Sequence, residues 1–262
     1  MFNLNGRIAV ITGAGSGMGA GISKKLSEAG AFVCLLGRSI EKLEETRKSL
    51  SNPGASFRCD VQDEQALLRI KESIVSTHGK IDILVTSAAA PGVVSKLEDT
   101  TLDEWRSVLD IDLDGVFLSC KTFGSVMVKN QYGRIVNMAS FHNVATYPER
   151  VIYNAAKSGV EGLSRGMAVE WGEHDITTNT VAPGPIRTPR TSWFLSQSPD
   201  VEVGMHGRTP NIRLGEVEEV ADLICFLVSD EARHINGQQI VIDGGWTKSA
   251  WWGDYSERKN EK

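Results

Sequence analysis

The chain has no apolar run approaching the roughly 18 to 20 residues that a bilayer-crossing helix needs, so no membrane span is expected. It also lacks a basic surplus. Its 28 Lys and Arg stand against 33 Asp and Glu, and the formal charge of −5 leaves no electrostatic footprint for nucleic acid. The acidic excess reads as solubility and not as a partner signal. Cysteine is scarce: Cys34, Cys59, Cys120 and Cys225 are widely spaced and form no C-x-x-C pair. They read as small buried thiols in a reducing compartment, which points to the cytoplasm. The five His residues show no metal-ligand spacing, so no metal is expected. The N-terminal MFNLNGRIAVITGAG has no charged leader and runs into strand-like residues, which argues against a signal peptide. No short-period repeat or composition break interrupts the 262 residues, so residues 1–262 read as one domain.

Strand-like and helix-like stretches alternate throughout. Apolar runs at 7–12, 31–37, 56–61, 80–88, 134–139, 176–182 and 238–245 read as strands. Between them, amphipathic patterns predict helices, including 40–50, 64–78, a long one opening at a Thr101/Glu104 capping box and running toward Lys129, one from Val151, and 217–229. This pattern is that of an α/β fold with a mainly parallel sheet and helices on both faces. The least regular part, Pro183 to Gly215, holds four further prolines up to Pro210 and reads as a functional connection, a lid at about 185–215. The tail from Trp246 to Lys262 carries three Trp, and its end from Ser256 reads as frayed.

Two stretches carry chemistry. In the first, Ser140 ends a strand-like run, and Tyr153 and Lys157 follow on a predicted helix at i and i+4, one face of the coil. A free phenol ionises near pH 10, and an ammonium at roughly 4 Å favours the phenolate by about 4 kcal/mol at an effective dielectric near 20. That brings a tyrosine into the range useful for general acid/base work. Tyr-x-x-x-Lys alone is common on helices, so its weight comes from the rest of the chain.

The second is TGAGSGMG over 12–19, between the first strand and the first helix. Gly13, Gly15, Gly17 and Gly19, with Ser16 and Met18 between them, form a turn whose backbone can approach a pyrophosphate at a helix N-terminus. After the second strand come Gly37-Arg38-Ser39 where an NAD-preferring site places an acid. Arg38 suits a 2′-phosphate, so NADP(H) is favoured and NAD(H) stays open; Arg38 solvated and Ser39 capping the next helix is the other reading. Asp60-Val61 reads either as an acceptor for the adenine amino group or as a turn.

The ordered set TGAGSGMG (12–19), RCDV (58–61), Ser140, YNAAK (153–157), APGPIRTP (182–189) and GQQIVIDGG (237–245) resembles the short-chain dehydrogenase/reductases over nearly the whole chain. The resemblance implies a single Rossmann-like doubly wound domain with a seven-stranded parallel sheet in the order 3-2-1-4-5-6-7. It implies hydride transfer between a nicotinamide dinucleotide and the carbon of a secondary alcohol or ketone. It assigns Tyr153 as acid/base, Lys157 as the group that tunes it and holds the nicotinamide ribose, and Ser140 as the anchor of the substrate oxygen. Pro183, Gly184, Ile186 and Thr188 would flank the nicotinamide, Ala88 would lie against the cofactor, and the assembly would be a homotetramer, with the Trp-rich tail at a subunit contact.

The chain departs from the family pattern twice. Thr86-Ser-Ala-Ala89 replaces the usual Asn-Asn-Ala-Gly after the fourth strand, and Asp112 stands where the family's fourth catalytic residue is Asn. A carboxylate there would hold Lys157 protonated and oppose the phenolate. Phe141, His142, Asn143 and Tyr147 after Ser140, and Ile186, Trp193, Phe194, Leu195 and Met205 in the lid, are the substrate-side candidates, and their apolar character suits a mainly apolar alcohol or ketone. Trp193 and Phe194 read equally as packing, and His142 as a pocket-wall donor. The competing reading is a non-catalytic dinucleotide-binding sensor on the same fold.

Overall fold

The computed structural model describes residues 2–197, 199–251 and 253–257. In chain order its strands and helices are β1 (Ile8–Thr12), α1 (Gly17–Glu28), β2 (Phe32–Gly37), α2 (Ile40–Lys48), β3 (Gly54–Arg58), α3 (Glu64–His78), β4 (Ile83–Thr86), α4 (Leu102–Leu109), α5 (Gly115–Asn130), β5 (Gly133–Met138), α6 (Val151–Trp171), β6 (Ile176–Pro183), β7 (Ile186–Arg187), α7 (Pro189–Gln197), α8 (Pro199–Arg208), β8 (Gly215–Glu216), α9 (Val217–Leu227) and β9 (Gln239–Ile242).

Seven strands form one parallel sheet in the order β3-β2-β1-β4-β5-β6-β9, and β7 pairs with β8 in a separate two-stranded piece. Side chains alternate through the sheet. Ala9, Ile11, Val33, Leu35, Ile83 and Val85 enter one core cluster with Ile22 and Leu26 of α1 and Val220 and Ile224 of α9. Val10, Cys34, Leu36 and Leu84 enter the other, with Leu67 of α3, Phe123 of α5 and Val160 of α6. A strand covered on both faces must be apolar at every position, which is why these strands read as runs and not as alternations.

Local signals set the helix ends. The Asp63 carboxylate accepts from Ala66 N–H at 2.9 Å to open α3, and Gly79, at φ +75, closes it. Thr101 and Glu104 close a reciprocal capping box on α4.

Several segments differ from the sequence expectation: β4 and β9 are shorter than the expected 80–88 and 238–245, and three others depart further. The long helix toward Lys129 is not continuous: α4 and α5 are joined by a π-helical turn, Asp110–Asp114, which points Asp112 into the interior. The third strand begins earlier and ends at Arg58, because Gly54 pairs with Val33, while Cys59 donates its N–H to Gly37 O as the chain leaves the sheet. The segment 185–215 holds β7, α7, α8 and β8, with Pro189 and Pro199 at the first position of each helix, where a missing N–H costs nothing. Beyond β9 the tail turns back: Arg208 lies 5.3 Å over the Trp246 ring, and Tyr255 N–H donates to Gly207 O at 2.7 Å. Trp252 and residues 258–262, and so most of the end expected to fray, lie outside the described residues.

Candidate active site

The chain runs outward from β1 to β3 and then returns to β4 on the other side of β1. A crevice therefore opens beyond the carboxyl ends of β1 and β4, where α/β sheets bind ligands. The glycine turn forms its floor. Gly13 and Gly17 have φ of +69 and +54, and a Cβ on Gly19 would sit 2.2 Å from Gly13 O. A Cβ on Gly13 would lie 2.7 Å from Ala88 N, and Thr12 Oγ1 accepts the N–H groups of Ser87 and Ala88 at 3.1 and 3.2 Å. The loop after β4 is thus laid flush on the turn. Ser16 is extended and makes no side-chain cap, so the first N–H groups of α1 are left for another acceptor. Over Gly17 the nearest atom to an added Cβ is Thr188 Cβ at 3.9 Å, an ordinary contact distance. We expect Gly19→Ala to lose about 1 to 3 kcal/mol of stability, because its methyl meets backbone that cannot yield. Urea unfolding measures this, and an unchanged midpoint would remove the close approach as a constraint.

The crevice is a cleft of about 370 Å³. Gly13, Gly15, Ser16, Gly17, Met18 and Gly19 line one side. Arg38 and Ser39 after β2, Asp60 and Val61 after β3, Ala88 after β4, and Thr188 after β7 line the remainder. Lys42 of α2 also lines it. The sequence did not single out Lys42, because it reads as one charge among many on an exposed helix.

Arg38 is exposed and makes no ion pair among the described residues. Ser39 is the N-cap of α2: its Oγ accepts from Lys42 N–H at 3.4 Å and donates to the Glu41 carboxylate at 2.8 Å. Asp60 Oδ1 accepts from the backbone and side chain of Gln62 at 3.1 and 3.2 Å, so this carboxylate forms a turn as well as lining the cleft. Thr188 caps α7 by accepting from Thr191 N–H at 3.1 Å. Pro183 ends β6, Gly184 N–H donates to Ile242 O at 2.9 Å, and the Ile186 side chain is committed to the core. The Trp193 and Phe194 side chains lie outside the described residues.

Ser140 lies two residues beyond the end of β5 and is buried; its Oγ accepts from His142 N–H at 3.4 Å. Tyr153 and Lys157 occupy successive turns of α6, with Lys157 Nζ 5.7 Å from the Tyr153 ring centroid. The ammonium is buried. It donates to Met138 O at 3.2 Å and faces Asp112 Oδ2 at 3.8 Å. Asp112 is equally buried: Oδ1 accepts from Ala90 N–H at 2.7 Å, while Oδ2 has no hydrogen-bond partner and meets only the ammonium's charge. Thr86, the last residue of β4, braces the neighbouring strand, since its Oγ1 donates to Asn137 Oδ1 on β5 at 2.8 Å.

His142 stands edge-on to Tyr153, ring centroids 5.4 Å apart at 85°, and edge-on to Tyr147 at 4.6 Å. Burial, and then the charge of Arg150, push its pKa down to about 4, so the ring is neutral at ordinary pH. Burial also pushes the Cys34 and Cys120 thiols up to about 12 and Cys59 to about 11, and all four cysteines are free and buried. Among the described residues no three His, Cys, Asp or Glu side chains could hold a metal, and no helix is long and apolar enough to cross a membrane.

Residues 13–247 match the family model described as enoyl-(acyl carrier protein) reductase. D-threitol dehydrogenase of Mycolicibacterium smegmatis is 34% identical over 94% of this chain and 95% of its own length. NAD-dependent glycerol dehydrogenase of Listeria innocua is 32% identical over 94% and 96%. A solved structure from Beutenbergia cavernae, described as an NAD(P)-dependent gluconate 5-dehydrogenase with NADP bound at low occupancy, superposes with a TM-score of 0.89 at 31% identity, covering 95% of this chain and 99% of that one. Similarity of this extent in sequence and fold places the chain in the short-chain dehydrogenase/reductase family, as an NAD(P)-dependent oxidoreductase of CH–OH groups.

Proposed function

We propose that the protein interconverts a secondary alcohol and its ketone with NADP(H), using Tyr153 as the acid/base. The observation that supports this reading is that Lys157 Nζ lies 5.7 Å from the Tyr153 ring centroid, while His142, whose N–H donates to Ser140 Oγ, packs against the same ring at 5.4 Å. When bound, the dinucleotide accepts or gives the hydride at its nicotinamide ring. The chain's own groups handle the proton. Ser140 Oγ and the Tyr153 phenol hold the reacting oxygen; in oxidation the phenolate takes its proton, and in reduction the phenol returns one. The Lys157 ammonium favours the phenolate and, fixed on Met138 O, is placed to hold the ribose. His142 does not compete as base, since an imidazole held near pH 4 is too weak.

The preference for NADP(H) rests on Arg38 and Lys42 in the cleft beyond β2. Against it stands the name of one relative, an NAD-dependent glycerol dehydrogenase. Losing one charge-assisted hydrogen bond to a 2′-phosphate costs about 1.5 to 3 kcal/mol. The ratio of kcat/KM for NADPH over NADH should therefore fall about 10- to 100-fold in Arg38→Ala. A ratio below one in the wild type, unchanged in the variant, assigns NAD(H) instead. A broad alcohol and ketone screen read by nicotinamide absorbance tests the reaction itself.

The same reading takes residues 1–262 as one domain and 185–215 as the lid over the substrate. It places the protein in the cytoplasm as a homotetramer with the tail at a subunit contact. Exposed Phe117 of α5 and Val169 of α6 supply apolar surface for such contacts.

A further inference from the structure

We propose that His142 is a specificity-determining residue that hydrogen-bonds a second hydroxyl, on the carbon next to the reacting one, so that the substrates are vicinal diols, polyols and the matching hydroxyketones. The inference rests on Ser140 and Tyr153 holding the reacting oxygen, as above.

The ring belongs to the same small cluster as those two groups. Its backbone N–H donates to Ser140 Oγ, and its edge meets the Tyr153 ring at 5.4 Å. A hydroxyl on the carbon next to the carbinol falls beside the phenol, on the side where this ring stands.

Nδ1 lies 3.2 Å from Thr146 Oγ1, a hydroxyl that can donate to the ring or accept from it. Among the described residues the ring makes no hydrogen bond besides this one, so Nε2 is left to donate to a substrate hydroxyl or to accept from it, according to the tautomer. Burial, and then Arg150, oppose the charged ring, so it meets the substrate neutral at ordinary pH.

Packing alone does not account for this residue. Phe141 and Tyr147 already press on the ring at 4.4 and 4.6 Å, and an apolar side chain would fill the same space without burying two nitrogens. Only one of those nitrogens is satisfied by the protein. A ring nitrogen with no protein partner among the described residues, beside the groups that hold the reacting oxygen, favours a substrate that brings a hydroxyl to it over a mono-alcohol that does not. The names of the relatives span threitol, glycerol and cyclohexanol, so they do not decide the point.

The test compares kcat/KM for butane-2,3-diol and butan-2-ol, and for the matching ketones, in the wild type, His142→Phe and His142→Gln. The wild type should prefer the diol, and the diol-to-mono-alcohol ratio should fall about tenfold or more in His142→Phe. His142→Gln, which keeps an amide that can donate or accept, should regain part of the ratio. Titration with the dinucleotide reports whether each variant is folded. A wild type with no preference for the diol, or a ratio that survives in His142→Phe, overturns the inference, as does a wild type that oxidises neither alcohol. If Tyr153→Phe is inactive while the ratio is flat, only the role of His142 falls; if Tyr153→Phe matches the wild type, the underlying reading of the site falls with it.

Discussion

Tyr153→Phe should lower turnover of any ketone or alcohol found in the screen by about 10²- to 10⁴-fold, the usual contribution of a positioned acid/base. The variant removes one oxygen and keeps the ring, so the T-shaped contact with His142 and the packing around α6 persist. Cofactor binding should weaken by no more than about tenfold, the worth of a single neutral hydrogen bond. The separation between these two effects is what identifies a proton-transfer role. A residue that merely shaped the cleft would change binding and turnover together. Stopped-flow or steady-state absorbance of the nicotinamide, with cofactor affinity from fluorescence titration, gives both numbers. Equal nicotinamide consumption by variant and wild type would mean that Tyr153 moves no proton, and the dinucleotide site would then serve binding alone.

The physical reason for so large an effect is that no second group in the site can stand in. His142 is neutral because burial and Arg150 disfavour its cation, and its Nδ1 is occupied by Thr146. Asp112 is engaged by Ala90 N–H and the Lys157 ammonium. Ser140 is a hydroxyl with no adjacent base among the contacts it makes.

How much of this was legible in the sequence depends on the range of the interaction concerned. The bounds of α3 follow from Asp63 and Gly79, both local, and the structure returns the same residues, Glu64–His78. The parallel α/β class follows from the alternation of apolar runs and helices, the sheet order from the family resemblance alone, and Gly13, Gly17 and Gly19 from a turn that favours glycine. The helices at 189–208 were also signalled, since proline at the first position starts a helix; the prolines there read as breaks because no strong apolar period accompanies them. What the sequence does not carry is tertiary. Lys42 looks like any solvated charge until α2 is docked beside the glycine turn. The π turn at Asp110–Asp114 has no local signature, because its extra residue is accommodated by packing against α6. The neutrality of His142 depends on rings and a guanidinium brought to it by the fold.

Asp112→Ala should destabilise the protein by about 3 to 5 kcal/mol, the cost of leaving one member of a buried ion pair alone. Two groups lose their partner at once. The Ala90 N–H loses this acceptor, and the Lys157 ammonium loses the only negative charge that faces it among the described residues, keeping Met138 O. If the pair is the cause, Asp112→Ala combined with Lys157→Met should be more stable than Asp112→Ala alone, since removing both charges removes the penalty. A packing defect predicts the opposite order. Asp112→Asn separates charge from shape. It keeps an oxygen for Ala90 N–H but gives up the carboxylate, so the cost in stability should be smaller. The carboxylate opposes a second negative charge nearby, and its removal makes the phenolate easier to form. The pH dependence of alcohol oxidation should then differ between wild type and Asp112→Asn. Urea midpoints for the four proteins and pH profiles for wild type and Asp112→Asn are the measurements. Coincident profiles would take Asp112 out of the proton chemistry, and a stable Asp112→Ala would show that the π turn holds its shape without the charge it buries.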